Sequence, residues 1–284
     1  MGMLWEIIKG RMDRLPAGQQ AVARFLLSLP REAAFLTAAQ LGGQVGVSES
    51  TVIRLAASLG FPGFPELRNA LREALRDQLS ALERLQIYQA TGEGSNLVQR
   101  VLRQDLQRGL SALASLDDGP IEALAEALCN SPSIYLIGLR SARALVAYLG
   151  TYLSWFLPEV HYLEGDLFRE QVVAARQGSL FVGISFPRYT RQTVECLTFA
   201  RRQGLATAAI TDSLSSPLAE VADYTVTVPS SQISYIDSFV IPIGLLNALL
   251  LRVTDRLGLR ASERLERLEA VWAEAKIYQE TARR

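Results

Sequence analysis

Residues 37–64 constrain the fold of this chain most strongly, because they place two short helical patterns on either side of a turn. Leu41 and Val45 lie four residues apart and predict the buried face of a first helix. Gly46 follows where the chain has to turn, since glycine adopts a left-handed conformation without steric cost. We expect Val47 to close the turn from below. This segment therefore predicts a helix-turn-helix.

The second helix of the motif is expected to begin after Ser48, a residue type that caps helices well. Its buried stripe recurs at helical spacing, at Val52, Leu55 and Leu59. The opposite face is polar near the N-terminal end, where a recognition helix meets base edges in the major groove. We therefore predict that DNA is contacted by Ser48, Glu49, Ser50, Thr51 and Arg54, through hydroxyl, carboxylate and guanidinium groups. The alternative is a helical hairpin inside an ordinary core.

Residues 47–67, VSESTVIRLAASLGFPGFPEL, resemble the N-terminal domain of RpiR/MurR-type bacterial transcription regulators. The shared signature positions are Val47, Ser48, Thr51, Val52, Arg54, Leu55, Leu59, Gly60, Phe61, Gly63, Phe64 and Leu67. The resemblance extends from about residue 4 to residue 257. It implies a regulator with an N-terminal helix-turn-helix and a C-terminal sugar isomerase (SIS) domain.

Composition permits a large core, since 49% of the 284 residues are hydrophobic. The formal net charge is zero, and residues 1–80 carry nine basic and seven acidic side chains. Such a chain does not coat nucleic acid through bulk charge. DNA binding is therefore expected to rest on local geometry and on two copies of the domain.

The cellular location and the cofactors are predicted from sequence features that are absent. Cys129 and Cys196 lie far apart in apolar runs, which predicts free thiols in a reducing compartment. No metal-ligand spacing is present, and we expect neither metal nor cofactor. The N-terminal segment is too charged for a signal peptide, and the longest apolar run, 239–251, is too short to span a bilayer. We expect a cytoplasmic protein that does not contact membranes.

Three regions are predicted along the chain. Residues 1–80 form the helix-turn-helix domain, 81–105 a helical linker, and 106–284 the SIS domain with a C-terminal helix over 262–280. A leucine stripe predicts one long helix over 65–90, with Leu67, Leu71, Leu75, Leu79, Leu82 and Leu85 on one face. The segment TGEGSN at 91–96 is expected to break the chain, and another helix is predicted over 97–116.

From residue 133 onward, short branched apolar runs replace the helical pattern. They predict strands at 133–138, 159–163, 179–185, 205–211 and 224–228. Helical segments at 141–156, 166–176 and 190–203 separate the first four. This alternation predicts a doubly wound, flavodoxin-like, five-stranded parallel sheet. The fold class is therefore multidomain: an all-α helix-turn-helix domain followed by an α/β SIS domain.

A ligand of such a sheet binds beyond the carboxyl ends of the strands. Residues 138–142 and 185–190 each lead from a predicted strand end into a helix. Hydroxyl groups and free backbone N–H groups at such helix starts bind phosphate or carboxylate, and Arg140, Arg188 and Arg191 could add charge-assisted bonds. The alternative is that the hydroxyl residues only cap helices and the arginines are solvated.

Residues 134–257 resemble the SIS domain of the same regulators. The resemblance implies that Ser141, Ser185 and Thr190 bind the phosphate of a phosphosugar effector, with Ser238 a weaker candidate. The full predicted effector site comprises Arg140, Ser141, Ser185, Arg188, Tyr189, Thr190 and Ser238.

The loop after the third strand departs from the SIS pattern. Typical members carry Ser-x-Ser-Gly-x-Thr, whereas here Pro187 and Arg188 replace the second serine and the glycine. Proline offers neither a hydroxyl nor an N–H group. We therefore expect either a guanidinium clamp from Arg188 or an effector that is a different phosphate or carboxylate metabolite.

A sugar-phosphate aldose–ketose isomerase is the competing hypothesis, and it needs a base to move a proton. His161, the only histidine, lies on a predicted strand without an obvious partner, and Glu195 and Asp212 lack a second group. We therefore expect no catalytic residue. The preferred hypothesis is a homodimer or dimer of dimers that binds operator DNA and responds allosterically to a small anionic metabolite. The third alternative is a scaffold that makes only protein contacts.

Overall fold

The computed structural model describes residues 3–75, 79–90, 96–113, 116–229 and 231–279. By its internal contacts the chain forms two compact units, Met1–Glu93 and Gly94–Arg284, which we call the N-terminal and C-terminal units. The predicted break at 91–96 lies outside the described residues except for Asn96. Of the predicted linker 81–105, the first ten residues form a helix of the N-terminal unit and residues 97–105 begin a helix of the C-terminal unit.

Helices and no strands make up the described part of the N-terminal unit. They are α1 (Met3–Arg11), α2 (Ala17–Ser28), α3 (Pro30–Ala33), α4 (Ala38–Val45), α5 (Glu49–Ser58), α6 (Phe64–Ala74) and α7 (Ala81–Ala90). Their apolar faces meet in one core, in which the predicted stripe Val52, Leu55 and Leu59 is buried beside Leu41. Val45 and Val47 are half-buried against the same core.

Helices α4 and α5 form the predicted helix-turn-helix. A capping box opens α4, because Gln40 N–H donates to Thr37 Oγ1 and Thr37 N–H donates to Gln40 Oε1. The helix ends at Gly46, whose φ of +77° is left-handed as predicted. A Cβ on Gly42 would lie only 2.8 Å from the carbonyl oxygen of Val47. The absence of a side chain at Gly42 therefore allows the turn to lie directly against α4.

The prediction of one helix over 65–90 is wrong. Helix α6 ends at Ala74, Leu79 and Ser80 are not helical, and a new helix begins at Ala81. The cause is a second capping box, in which Glu83 N–H donates to Ser80 Oγ at 3.2 Å and Ser80 N–H donates to Glu83 Oε2 at 2.6 Å. The leucine stripe also fails beyond this break, since Leu82 is 63% exposed.

A five-stranded parallel sheet forms the centre of the C-terminal unit. Its strands are β1 (Ile134–Ile137), β2 (Val160–Tyr162), β3 (Leu180–Ile184), β4 (Ala206–Thr211) and β5 (Tyr224–Thr227), in the order β2-β1-β3-β4-β5. Every neighbouring pair is parallel. This order is that of a flavodoxin-like doubly wound sheet, and the predicted fold class is confirmed.

Helices cover both faces of the sheet. The helices of this unit are α8 (Leu97–Leu113), α9 (Asp118–Asn130), α10 (Arg143–Phe156), α11 (Phe168–Ala174), α12 (Arg191–Arg202), α13 (Val240–Leu257) and α14 (Leu259–Glu274). Leu180 and Val182 pack with α9, α10 and α13, whereas Phe181 packs with α11 and α12. Gly183 admits α12 closely, since a Cβ there would lie 2.8 Å from Leu197 Cδ1.

Several elements differ from the predictions. An antiparallel hairpin of β6 (Ser231–Ile233) and β7 (Ile236–Ser238) follows β5, and neither it nor α9 was predicted. Helix α8 is described over Leu97–Leu113, and residues 114 and 115 of the helix predicted over 97–116 lie outside the described residues. The helix predicted over 262–280 starts at Leu259 and ends at Glu274. Within the described residues, no helix has the length and apolarity needed to cross a membrane.

Candidate functional site

The N-terminal turn of α5 presents a row of exposed polar side chains, among them Ser48, Glu49, Ser50 and Arg54. Ser48 caps the helix, since its Oγ accepts the Thr51 N–H at 3.3 Å. Arg54 folds back along this turn, where its Nε donates to the Ser50 carbonyl at 3.2 Å and its Nη2 to Ser50 Oγ at 3.3 Å. These bonds hold a guanidinium group beside the helix N-terminus, the end that a recognition helix presents to DNA.

Thr51 is the least exposed of the five predicted DNA contacts. Its Oγ1 lies 2.9 Å from Ser48 Oγ, and it is half-buried. Its methyl group lies against α2, because a Cβ built on Gly18 would be 3.2 Å from Thr51 Cγ2. Thr51 therefore helps to fix α5 against α2, and its contact with DNA stays a prediction.

In the C-terminal unit, the loop after β1 meets the β6–β7 hairpin. This loop passes through a 3-10 turn, Arg140–Ala142, into α10, and Arg140 is exposed with a left-handed φ of +56°. The Ser141 hydroxyl donates a hydrogen bond of 2.7 Å to Asp237 Oδ2 on β7. Asp237 was not predicted as a site residue. Ser238, which was, follows it on β7 and is half-buried.

The loop after β3 is held by Ser185, which is buried. Its Oγ accepts the backbone N–H of Thr190 at 3.2 Å, so the two predicted phosphate ligands close the loop between them. Thr190 is the N-cap residue of α12, but its side chain makes no capping bond. Arg188 is exposed and has φ of +69°. It stands where the typical SIS loop has glycine, and it adopts a backbone conformation that glycine reaches without strain.

Contacts between these segments place them at one edge of the sheet. Tyr189 Oη donates to Asp212 Oδ1, at the end of β4, with a distance of 2.8 Å. The rings of Phe186 and Phe239 lie 6.1 Å apart, which links the loop after β3 to the start of α13. The first two loops also meet, because a Cβ on Gly138 would lie 3.0 Å from the Ile184 carbonyl oxygen. The predicted effector residues are therefore grouped at the carboxyl ends of β1, β3 and β4.

Both signs of charge occur at this edge. Arg140 and Arg188 supply exposed guanidinium groups, while Asp212 and Asp237 supply carboxylates that accept hydroxyl hydrogens. Arg191 is less available than predicted, because its Nε donates to Glu195 Oε1 at 2.6 Å on the same helix. The arrangement suits a ligand that brings an anionic group for the arginines and donors for the carboxylates.

Two family models match the sequence. The model described as "Helix-turn-helix domain, rpiR family" matches residues 1–78, and the model of the SIS domain matches residues 127–252. The chain joins an RpiR-family helix-turn-helix domain to a SIS domain. The predicted relationship to RpiR-type regulators is therefore confirmed.

Solved structures agree with the fold of these domains. The sugar isomerase domain of an RpiR transcription factor from Sphaerobacter thermophilus is 28% identical, with a TM-score of 0.59, and the match covers 62% of this chain and 99% of that one. The Vibrio vulnificus NanR protein, complexed with ManNAc-6P, is 18% identical with a TM-score of 0.56, and the match covers 96% and 98% of the two chains. At that identity NanR supports the fold alone.

The side chains that isomerase chemistry would require as bases have structural partners. His161 lies on β2, where its ring stacks on Tyr135 at 4.8 Å and its Nε2 is 3.9 Å from Glu159 Oε2. Glu195 pairs with Arg191 and, at 3.6 Å, with Arg169. In the part of the chain that the structure describes, no group of three or more His, Cys, Asp or Glu residues is placed to hold a metal ion.

Proposed function

We propose that this chain is a transcriptional regulator that binds operator DNA through α5 and changes its affinity when its C-terminal unit binds a small anionic metabolite. The observation that carries the proposal is the presence in one chain of an RpiR-family helix-turn-helix, whose α5 begins with exposed polar side chains, and of a SIS domain whose sheet edge is lined with hydroxyl and guanidinium groups. Catalysis is not part of the proposal, because the candidate bases are engaged in ion pairs, ring stacking or hydrogen bonds.

Arg54 is the side chain on which we expect DNA affinity to depend most. A guanidinium group that bonds a base edge or a phosphate contributes about 1–3 kcal/mol of binding free energy. With DNA selected by the full chain from a randomised pool, Arg54→Ala should weaken binding by roughly tenfold. Arg24→Ala is the matched control, since it removes the same charge from an exposed position on α2. Equal effects of the two variants would show that α5 is not the recognition helix.

The effector is a phosphosugar or a related phosphate or carboxylate. NanR, with which this chain shares its fold, is complexed with a phosphosugar, ManNAc-6P. The contacts proposed here are made by Arg140, Ser141, Ser185, Arg188, Tyr189, Thr190 and Ser238. The exposed guanidinium of Arg188 replaces the backbone cradle that a glycine would allow, and Pro187 donates no hydrogen bond.

A thermal-shift screen of phosphosugars and non-sugar carboxylates tests this site. A ligand at 100 times its Kd adds about 2.7 kcal/mol of stability. The double variant Ser141→Ala, Thr190→Ala should lose the shift and still bind DNA. A normal shift in this variant would place the effector elsewhere.

The exposed apolar face of α8 supports a second copy of this chain as a partner. Five side chains spaced at four and three residues are each 53–70% exposed: Val98, Leu102, Leu106, Leu110 and Leu113. They offer roughly 300–400 Å² of apolar surface per copy, which is most of the apolar centre of an interface that buries about 800 Å² per partner. A two-fold pair would also supply two recognition helices for half-sites about 34–36 Å apart.

Light scattering on the purified chain tests this interface. The double variant Leu106→Glu, Leu110→Glu should be monomeric. Leu214→Glu, which changes another leucine that is 73% exposed, should leave the oligomeric state unchanged. A dimer that survives the double variant would place the interface on another surface.

A further inference from the structure

Asp237 accepts the hydrogen bond from Ser141 that the effector anion would need. Its Oδ2 accepts the Ser141 hydroxyl hydrogen at 2.7 Å. A serine hydroxyl has one hydrogen to donate, and the proposed function assigns that hydrogen to the phosphate or carboxylate of the effector. The carboxylate also repels an anion that approaches the same point. An anion can therefore accept the Ser141 hydrogen only after the bond from Ser141 to Asp237 has broken.

We propose that the Asp237 carboxylate is a built-in competitor for the anionic group of the effector, and that the effector acts by displacing it. This inference rests on the proposed function, because it requires the effector anion to bind at Ser141. It assigns Asp237 a role opposite to that of a ligand contact: removal of its carboxylate strengthens effector binding instead of weakening it.

The hairpin that carries Asp237 is suited to move as a unit. Each of its strands, β6 and β7, has only three residues, and an isolated two-stranded hairpin is marginally stable. Its turn consists of Ser234, at a left-handed φ of +62°, and Tyr235, which is 52% exposed, and Ile236 after the turn is 53% exposed. Contacts with the rest of the unit, such as that from Asp237 to Ser141, therefore decide where the hairpin lies.

Movement of the hairpin would change the contacts of helix α8. It contacts both β6 and α13, and it is the first helix of the C-terminal unit along the chain. At Gly109 it approaches α13 so closely that a Cβ would lie 2.8 Å from Ile241 Cδ1, four residues after Asp237. A hairpin released from Ser141 therefore changes the surroundings of the helix that follows the N-terminal unit in sequence. The effector thereby acts on the helix that follows, along the chain, the unit that carries α5.

Binding of inorganic phosphate and of N-acetylmannosamine 6-phosphate, measured by calorimetry on the full chain, tests the proposal. Asp237→Ala should bind both about three- to tenfold more tightly than the wild type, because a charge-assisted hydrogen bond no longer competes. Asp237→Asn should show a smaller gain, since its amide oxygen still accepts from Ser141. Asp255→Ala removes the same charge near the far end of α13, about 22 Å from the start of that helix, and should leave binding unchanged.

Unchanged or weaker binding by Asp237→Ala and Asp237→Asn would overturn the proposal, as would the absence of phosphate binding to every variant. Ser141→Ala separates this failure from that of the proposed site: if it binds like the wild type, the effector site itself is misplaced. Hydrogen exchange provides the second readout. Phosphate should speed exchange of residues 231–239 in the wild type and change nothing in Asp237→Ala, whereas protection of the hairpin by phosphate would contradict displacement.

Discussion

Replacement of Gly42 by alanine should destabilise the helix-turn-helix, although alanine is the better helix former. The added Cβ would lie 2.8 Å from the Val47 carbonyl oxygen and 3.3 Å from Ser48 C and Glu49 N. All three are backbone atoms, so no side-chain rotation relieves the contact. Overpacking of this kind costs about 2–3 kcal/mol, against a gain of about 1 kcal/mol in helix propensity. The net effect is a loss of about 1–2 kcal/mol in the stability of the α4–α5 pair.

Gly43 provides the control, because it is the next residue of α4 and a Cβ there meets nothing within 4 Å. Gly43→Ala should gain up to about 1 kcal/mol from propensity alone. Hydrogen exchange of peptides covering 38–58 measures both effects, and Gly42→Ala should exchange about tenfold faster than the wild type while Gly43→Ala exchanges more slowly. DNA affinity should fall only for Gly42→Ala. If both variants slow exchange, the close approach of the turn to α4 is not a constraint.

Three further predictions concern single side chains. Arg188→Gly should raise the stability of the C-terminal unit by about 1 kcal/mol in thermal unfolding, because the left-handed backbone is no longer strained. The same variant should weaken effector binding. Lower stability would contradict the strain at φ of +69°. Burial raises the pKa of Cys196 to about 12, so roughly one thiol in 10,000 is ionised at pH 8. Iodoacetamide should therefore modify Cys129 first in the native chain. Faster modification of Cys196 would refute its burial. The backbone N–H of Ser80, followed by its side chain, lowers the pKa of Glu83 by hydrogen bonding. The helix-capping contribution of Glu83 is therefore complete above its unfolded pKa and is lost as pH falls. Acid titration of helicity by circular dichroism should show this loss in the wild type and a smaller one in Glu83→Gln, and identical titrations would contradict the contribution of the Glu83 carboxylate.

Regular apolar spacing made most of the fold predictable. The central strands β1, β3 and β4 are buried on both faces, so each appears in the sequence as a short apolar run, and helical segments separate the first four strands. The helix-turn-helix was predictable because Gly46 and Ser48 mark the turn as clearly as the leucines mark the helices. The long helix over 65–90 was overpredicted for the same reason. Leucine spacing continues through Leu79 and Leu82, whereas the Ser80–Glu83 capping box that ends the pattern is a two-residue signal.

The effector site was only partly predictable. Its loops follow strand ends, and their positions come from the strand–helix alternation. The bond between Ser141 and Asp237 joins residues 96 positions apart, through a hairpin whose three-residue strands are too short to show alternation. The left-handed arginines were unpredictable too, because Arg140 and Arg188 adopt conformations for which a sequence pattern ordinarily requires glycine.

Control of DNA binding by one small anion is the core of the proposed function. Its most direct test is the affinity for DNA selected from a randomised pool, measured with and without the ligand that most stabilises the C-terminal unit. A coupling of about 1–3 kcal/mol predicts a change in Kd of about 5- to 150-fold, which Ser141→Ala with Thr190→Ala should abolish. An unchanged Kd in the presence of saturating ligand would contradict control by the anion. Failure of the chain to enrich any DNA sequence would contradict DNA binding itself.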